Sequence, residues 1–127
     1  MVDCAIIGDS IAKGVGQQAP ACVTKARVGA ASSFIASKYN GISGSEVTVI
    51  SAGSNDPDNP WLEANLTLLR SNVHSKRVVW ILPYNRNAAE VVKTVALPGD
   101  VLVDLMRFKT NDGVHPRSYR ALKNRIF

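Results

Sequence analysis

The stretch Asp3-Cys4-Ala5-Ile6-Ile7-Gly8-Asp9-Ser10 decides the fold. Cys4 through Ile7 are apolar without a break, the pattern of a strand covered on both faces and not of a half-solvated one. Such strands belong to parallel sheets flanked by helices. The run then enters a glycine, an aspartate and a serine, so the chain turns sharply and presents a hydroxyl at the strand's carboxyl end.

The same alternation continues along the chain. A helix is expected after Ser10, weakened in its far half by Gly14 and Gly16 and ended by Pro20. A second strand is expected over Cys22–Arg27, and Gly29 opens a turn into a helix reaching about Tyr39, with Gly41 and Gly44 as breakers. Glu46–Ala52 reads as the third strand and Gly53–Asn59 as a polar loop. Pro60 is expected to start a helix that buries Trp61, Leu62, Leu66, Leu68 and Leu69. Arg77–Pro83 is the fourth strand, Ala88–Leu97 a helix, Asp100–Leu105 the fifth strand and Pro116–Phe127 the closing helix. In that last helix Tyr119, Leu122 and Ile126 recur at helical spacing, leaving Arg117, Arg120, Lys123 and Arg125 on the wet face. Alternating strands and helices predict α/β, a three-layer, flavodoxin-like five-stranded parallel sheet in the order 2-1-3-4-5, with helices on both faces. One domain over residues 1–127 suits a chain of this length.

Composition narrows the class. Apolar residues make up 46% and charged residues 20%, which fits a folded domain and argues against disorder. No apolar run approaches the roughly 20 residues of a membrane helix. No basic leader precedes the first strand, so the default expectation is a cytoplasmic protein, with release by lysis or phage origin as the variant. Two cysteines are too few for a disulfide framework. Cys4 is expected as a small buried residue, bridged to Cys22 only if neighbouring strands bring the two together. The net charge of +5 is scattered and reads as a solvated surface in preference to a polyanion-binding one.

The chemistry collects at one rim. In open α/β sheets, sites form beyond the carboxyl ends of the strands. Asp9-Ser10, Gly29, Gly53-Ser54-Asn55-Asp56, Asn85-Arg86 and Asp112…His115 each follow a different strand. A histidine with a carboxylate on one ring nitrogen can act as general base with the other. Asp112 and His115 supply that pair, and Ser10 supplies the hydroxyl it would activate, so the pattern reads as a serine hydrolase. Other motifs fail their context. Gly14-x-Gly16-x-x-Ala19 lies too far beyond its strand to hold a dinucleotide, and His74 reads as a surface residue. With two histidines and two cysteines widely separated, no metal site or cofactor is expected.

These residues also form four ordered blocks: Gly8-Asp9-Ser10, Gly29 within Arg27-Val28-Gly29-Ala30, Gly53-Ser54-Asn55-Asp56, and Asp112-Gly113-Val114-His115-Pro116. In these blocks the chain resembles the SGNH hydrolases, the GDSL-like lipases and esterases, over essentially its whole length. The one departure noted is Ile11 where a leucine often follows the nucleophile. The resemblance implies Ser10 as nucleophile, His115 as base and Asp112 as its orienting group. It also implies an oxyanion hole made by the backbone N–H groups of Ser10 and Gly29 and the side-chain amide of Asn55.

The loops at the rim are short, so no lid is expected and the serine should stand in an open groove. That suits a short acyl group, acetyl above all, on a carbohydrate or cell-wall carrier better than a long fatty chain. Asp9, Arg86, Arg107 and Lys109 are expected around the substrate, the three cations favouring an anionic carrier. The expected partner is a small-molecule or polysaccharide ester, bound by a monomer, with no nucleic acid and no membrane span. Two alternatives stand beside this reading: a phage-type lytic enzyme acting on the bacterial envelope, and a non-catalytic carbohydrate-binding module on the same fold.

Overall fold

The structure, a computed structural model, describes residues 3–39 and 45–127. The expected helix breakers Gly41 and Gly44 lie outside the described residues.

Five strands form one parallel sheet: β1 (Cys4–Gly8), β2 (Val23–Ala26), β3 (Val47–Ser51), β4 (Arg77–Leu82) and β5 (Val101–Asp104). Their order is β2-β1-β3-β4-β5, with parallel registers such as Ile6 opposite Val49 and Val49 opposite Val79. Helices α1 (Ser10–Gln18), α2 (Ser32–Lys38), α3 (Leu62–Ser71), α4 (Arg86–Val95) and α5 (Tyr119–Ile126) cover it. This is the three-layer α/β architecture expected. Successive strand residues point to opposite faces, and the core divides accordingly. Ile7, Ile50, Trp80 and Leu82 pack with α2, α3 and α4. Ile6, Val49, Val79, Ile81 and Val103 pack with α1 and α5. None of the described helices is long and apolar enough to cross a membrane.

Helix α1 runs from Ser10 to Gln18 and stops short of Pro20 as expected, and its two glycines are packing contacts: a Cβ on Gly14 would stand 2.2 Å from the Tyr119 ring, and one on Gly16 2.3 Å from the Thr24 hydroxyl. Several local expectations are corrected. Pro60 and Trp61 form a turn, and α3 starts at Leu62. Leu62, Leu66 and Leu69, spaced four and three apart, are buried on one face. Trp61 and Leu68 fall on the other and are 69% and 54% exposed. The last helix begins at Tyr119, capped by the Ser118 hydroxyl, and not at Pro116. Cys4 is buried as expected, and it is bonded to Cys22. Since Ala5 registers against Val23, the residues one step earlier on the two strands fall side by side, with their Cα atoms 4.8 Å apart.

One ion pair ties the layers together. Arg70 of α3 donates Nε and Nη2 to the two oxygens of Asp100 at 2.9 and 3.0 Å, and the Trp80 indole donates to the same carboxylate. Its side chains are only 14% and 4% exposed, and the bidentate geometry satisfies both.

Candidate active site

The site is built where β1 ends. Gly8 has φ +143°, and a Cβ there would meet the Ser51 carbonyl oxygen at 1.9 Å, so only glycine lets β1 and β3 approach so closely. The next residue, Asp9, is fully buried. Its Oδ1 accepts from the N–H groups of Ile11 at 3.0 Å and Ala12 at 3.5 Å and from the Ser51 hydroxyl at 2.8 Å. Asp9 is therefore the N-cap of α1, which leaves the hydroxyl of Ser10, the first helical residue, free for other partners. Burial pushes the Asp9 carboxyl up to about 6 against the pull of those hydrogen bonds, and its Oδ2 has no partner. The expectation that Asp9 contacts substrate is corrected on this point: a side chain with no exposed surface, wedged under the helix terminus, supports the serine from below.

A second segment, from the far edge of the sheet, reaches the serine. Beyond β5 and a short 3₁₀ turn (Leu105–Arg107), Thr110 and Pro116 pair in an antiparallel bridge, and Arg117 N–H donates to the Lys109 carbonyl at 2.8 Å. Between them the chain folds on itself. Asp112 Oδ1 accepts from the backbone N–H groups of Val114 and His115, and the Thr110 hydroxyl donates to the His115 carbonyl at 2.6 Å. Those bonds aim the His115 ring. Nδ1 lies 2.7 Å from Asp112 Oδ2 and Nε2 lies 2.8 Å from Ser10 Oγ. The backbone and ring N–H groups of His115 hold the Asp112 carboxyl well below the usual carboxylate range. An ionised Asp112 can only accept, so Nδ1 carries the proton and Nε2 is left as acceptor for the serine O–H. Ser10, His115 and Asp112, expected together, are brought together across 105 residues of chain.

The three expected oxyanion donors also gather on this rim. Gly29 adopts φ +78° in an exposed turn closed by Ala30 N–H to the Arg27 carbonyl. That turn is tied beside the end of β1 by Arg27 N–H to the Gly8 carbonyl at 3.1 Å. Asn55 Nδ2 donates to the Ala30 carbonyl at 2.9 Å, which sets its amide against the Gly29 turn and leaves its second N–H uncommitted. The backbone N–H groups of Ser10 and Gly29 have no protein acceptor among the described residues. Ser10 N–H also points from the first turn of α1, where the helix dipole favours negative charge.

Residues that the sequence reading left without a role hold this arrangement. Asp56 accepts from the Ser32 backbone N–H and hydroxyl and from Asn59, and Asn65 donates to Ser32. This network fastens the Asn55 loop to the start of α2. Ser51, polar and buried at the end of an apolar strand, was the legible signal for the partner of Asp9. Thr110, which joins both sides of the histidine loop, carries no such signal in sequence.

The expected substrate cations divide. Arg86 makes a bidentate pair with Asp104 at 2.9 and 3.0 Å and bonds the Tyr84 carbonyl, so its charge is neutralised and it is corrected to a structural role. Arg107 and Lys109 line a cavity of about 480 Å³ with Phe108, Arg117, Ser118 and Ala121. No cluster of acidic, histidine or cysteine side chains that could hold a metal ion occurs among the described residues.

No family model matches the sequence, and no curated protein matches it. A solved structure does. The chain shares its fold with an acetyltransferase domain. That domain is the C-terminal catalytic domain of Streptococcus pneumoniae peptidoglycan O-acetyltransferase A, determined with a methylsulfonyl adduct. The two superpose with a TM-score of 0.58 over 94% of this chain and 85% of that one, at 15% sequence identity. At this identity the likeness is one of fold.

Proposed function

We propose that the chain is a serine esterase that removes short acyl groups, chiefly acetyl, from a carbohydrate or cell-wall carrier. The observation that carries this reading is the continuous Asp112–His115–Ser10 relay, with contacts of 2.7 and 2.8 Å. In the proposed reaction Ser10 Oγ attacks the ester carbonyl while His115 Nε2 takes the hydroxyl proton. The tetrahedral oxyanion is met by the N–H groups of Ser10 and Gly29 and by the Asn55 amide, each such donor lowering the barrier by about 3 kcal/mol. Collapse expels the carrier's hydroxyl, which receives the proton from His115 and leaves an acetyl ester on Ser10. A water molecule, deprotonated by His115, then hydrolyses that ester and frees acetate.

Exposure supports a short acyl group. The His115 and Asp112 side chains are 39% and 54% exposed, so the serine stands at an open surface and not at the end of a deep apolar slot. The acetyl chemistry in the neighbour's name supports the same class and favours a second reading, in which a sugar hydroxyl instead of water takes the acetyl group from Ser10. A purely sugar-binding module has no use for an aligned relay. The Cys4–Cys22 bond supports work in an oxidising space such as the cell surface, where such bonds persist.

The test is hydrolysis of p-nitrophenyl acetate, butyrate and palmitate, with and without a soluble sugar acceptor. The expected order is acetate above butyrate, with palmitate far behind. A sulfonyl fluoride should label Ser10 and stop turnover, and Ser10→Ala should be inactive yet fold normally. Absence of turnover on every ester, or unaltered turnover by Ser10→Ala, refutes the reading. Faster release with a sugar acceptor, together with acetylated sugar as product, selects transfer over hydrolysis.

A further inference from the structure

Three cations converge beside the histidine loop without an acidic partner. Arg107, Lys109 and Arg117 line one cavity of about 480 Å³, and none of them forms an ion pair among the described residues. The carboxylates on the same stretch are already committed, Asp104 to Arg86 and Asp112 to His115. Three like charges held in one concavity repel one another, and the field between them favours an anion. The Ser118 hydroxyl accepts from Ala121 N–H, which leaves its own proton free to donate into the same space.

The position of this cavity follows from the fold. Arg117 N–H bonds the Lys109 carbonyl, so these two residues form the neck of the loop that carries Asp112 and His115. Arg117 lies two residues beyond His115, and Lys109 is bonded to it across the neck, so the cavity adjoins the loop that carries the base. Ser118 and Ala121, at the start of α5, close another side of it. A carrier whose ester is attacked at Ser10 can therefore extend into it.

We infer that Arg107, Lys109 and Arg117 form an anion subsite that binds a carboxylate or phosphate of the carrier next to the acylated unit. This rests on the esterase reading and adds to it the substrate class: a polyanionic glycan or a phosphate-bearing wall polymer, not a neutral one. The subsite acts by holding the carrier, so its loss raises KM while kcat on the bound ester changes little.

The experiment compares acetylated polygalacturonate with acetylated xylan at equal acetyl content, in low and high salt. The polyanion is expected to have the higher kcat/KM, and salt should erase the difference, since the cations are exposed and screened within about 10 Å at 0.1 M. Arg107→Gln, Lys109→Gln and Arg117→Gln should each raise KM for the polyanion roughly fivefold, the worth of one exposed pair. The triple variant should lose the preference. Lys76→Gln, a charge change at the opposite end of the sheet, should keep it. Equal kcat/KM on both carriers, or a preference that survives the triple variant, overturns the subsite while leaving the esterase intact. If the wild-type protein cleaves neither carrier, titration of the Ser10→Ala protein with oligogalacturonate and with polyphosphate decides the matter separately. Salt-sensitive binding lost in the triple variant supports the subsite, with the tighter ligand naming carboxylate or phosphate, and no binding of either overturns it.

Discussion

Replacing Asp9 by asparagine should reverse part of the protein's pH dependence of stability. Asp9 is sealed under the first turn of α1, with Oδ1 bonded to two backbone N–H groups and the Ser51 hydroxyl and Oδ2 without a partner. Burial raises its carboxyl from the ordinary 3.8 to about 6. In that window the native state holds a proton that the unfolded state has released. Stability from this group is thus complete below the unfolded value and is lost as pH rises through the folded one. A rise from 3.8 to about 6 corresponds to about 3 kcal/mol lost between about pH 4 and pH 7. Asparagine keeps the Oδ1 acceptor and does not ionise, so its own contribution is flat. Asp112 titrates in the opposite sense, its stabilisation being present at neutral pH and lost only in strong acid, but both proteins carry it and the difference cancels. Urea unfolding of wild type and Asp9→Asn at a series of pH values, disulfide intact, measures the gap directly. The variant should gain on the wild type by about 3 kcal/mol from pH 4 to pH 7, whatever its absolute offset. A gap that does not move with pH would show that the three donors, and not burial, set the ionisation of Asp9.

Asn55→Ala should lower kcat on p-nitrophenyl acetate by roughly 10²–10³-fold with KM little altered, as removal of one oxyanion donor does; a near-native rate removes Asn55 from the hole. Asp112→Asn should reduce kcat at neutral pH by up to about 10⁴-fold, because an amide no longer fixes the Nδ1–H tautomer of His115. Steady-state assay of that variant with an unchanged rate would leave His115 without a need for its partner. Gly14→Ala should destabilise the fold by about 1–3 kcal/mol through overpacking against Tyr119, although alanine is favoured by roughly 1 kcal/mol in a helix. A higher melting temperature in that variant contradicts the close contact between α1 and α5.

The architecture was legible because local pattern and tertiary role coincide in a parallel sheet. Strands buried on both faces are apolar almost throughout, as Cys4–Ile7 and Val78–Leu82 are and as Val47–Ile50 is but for Thr48, and the helices between them carry their apolar residues at helical spacing. The polar blocks stood out against that background, so Ser10, Gly29, Asn55, Asp112 and His115 could be named before any distance was known. What sequence did not carry is direction. Leu68 and Trp61 look like core residues until the phase of α3 is set by packing, which turns them outward. Gly14 and Gly16 look only like weak points of a helix until Tyr119 and Thr24 arrive from elsewhere to fill the space. Arg86 and Lys109 look alike as rim cations. Only the neighbouring strand decides that the first meets Asp104 while the second stands unpaired with Arg107 and Arg117. Asp9, adjacent to the nucleophile, reads as a site residue by position, yet the approach of Ser51 across β1 and β3 buries it as a helix cap. Likewise, whether Cys4 and Cys22 could bond depended on which strands become neighbours and in what register. Residue type and spacing determined which groups this chain has for its chemistry, since both are local properties of the sequence. Which of those groups touch, which are neutralised and which face solvent depends on chain segments far apart in sequence, and only the tertiary structure decided it.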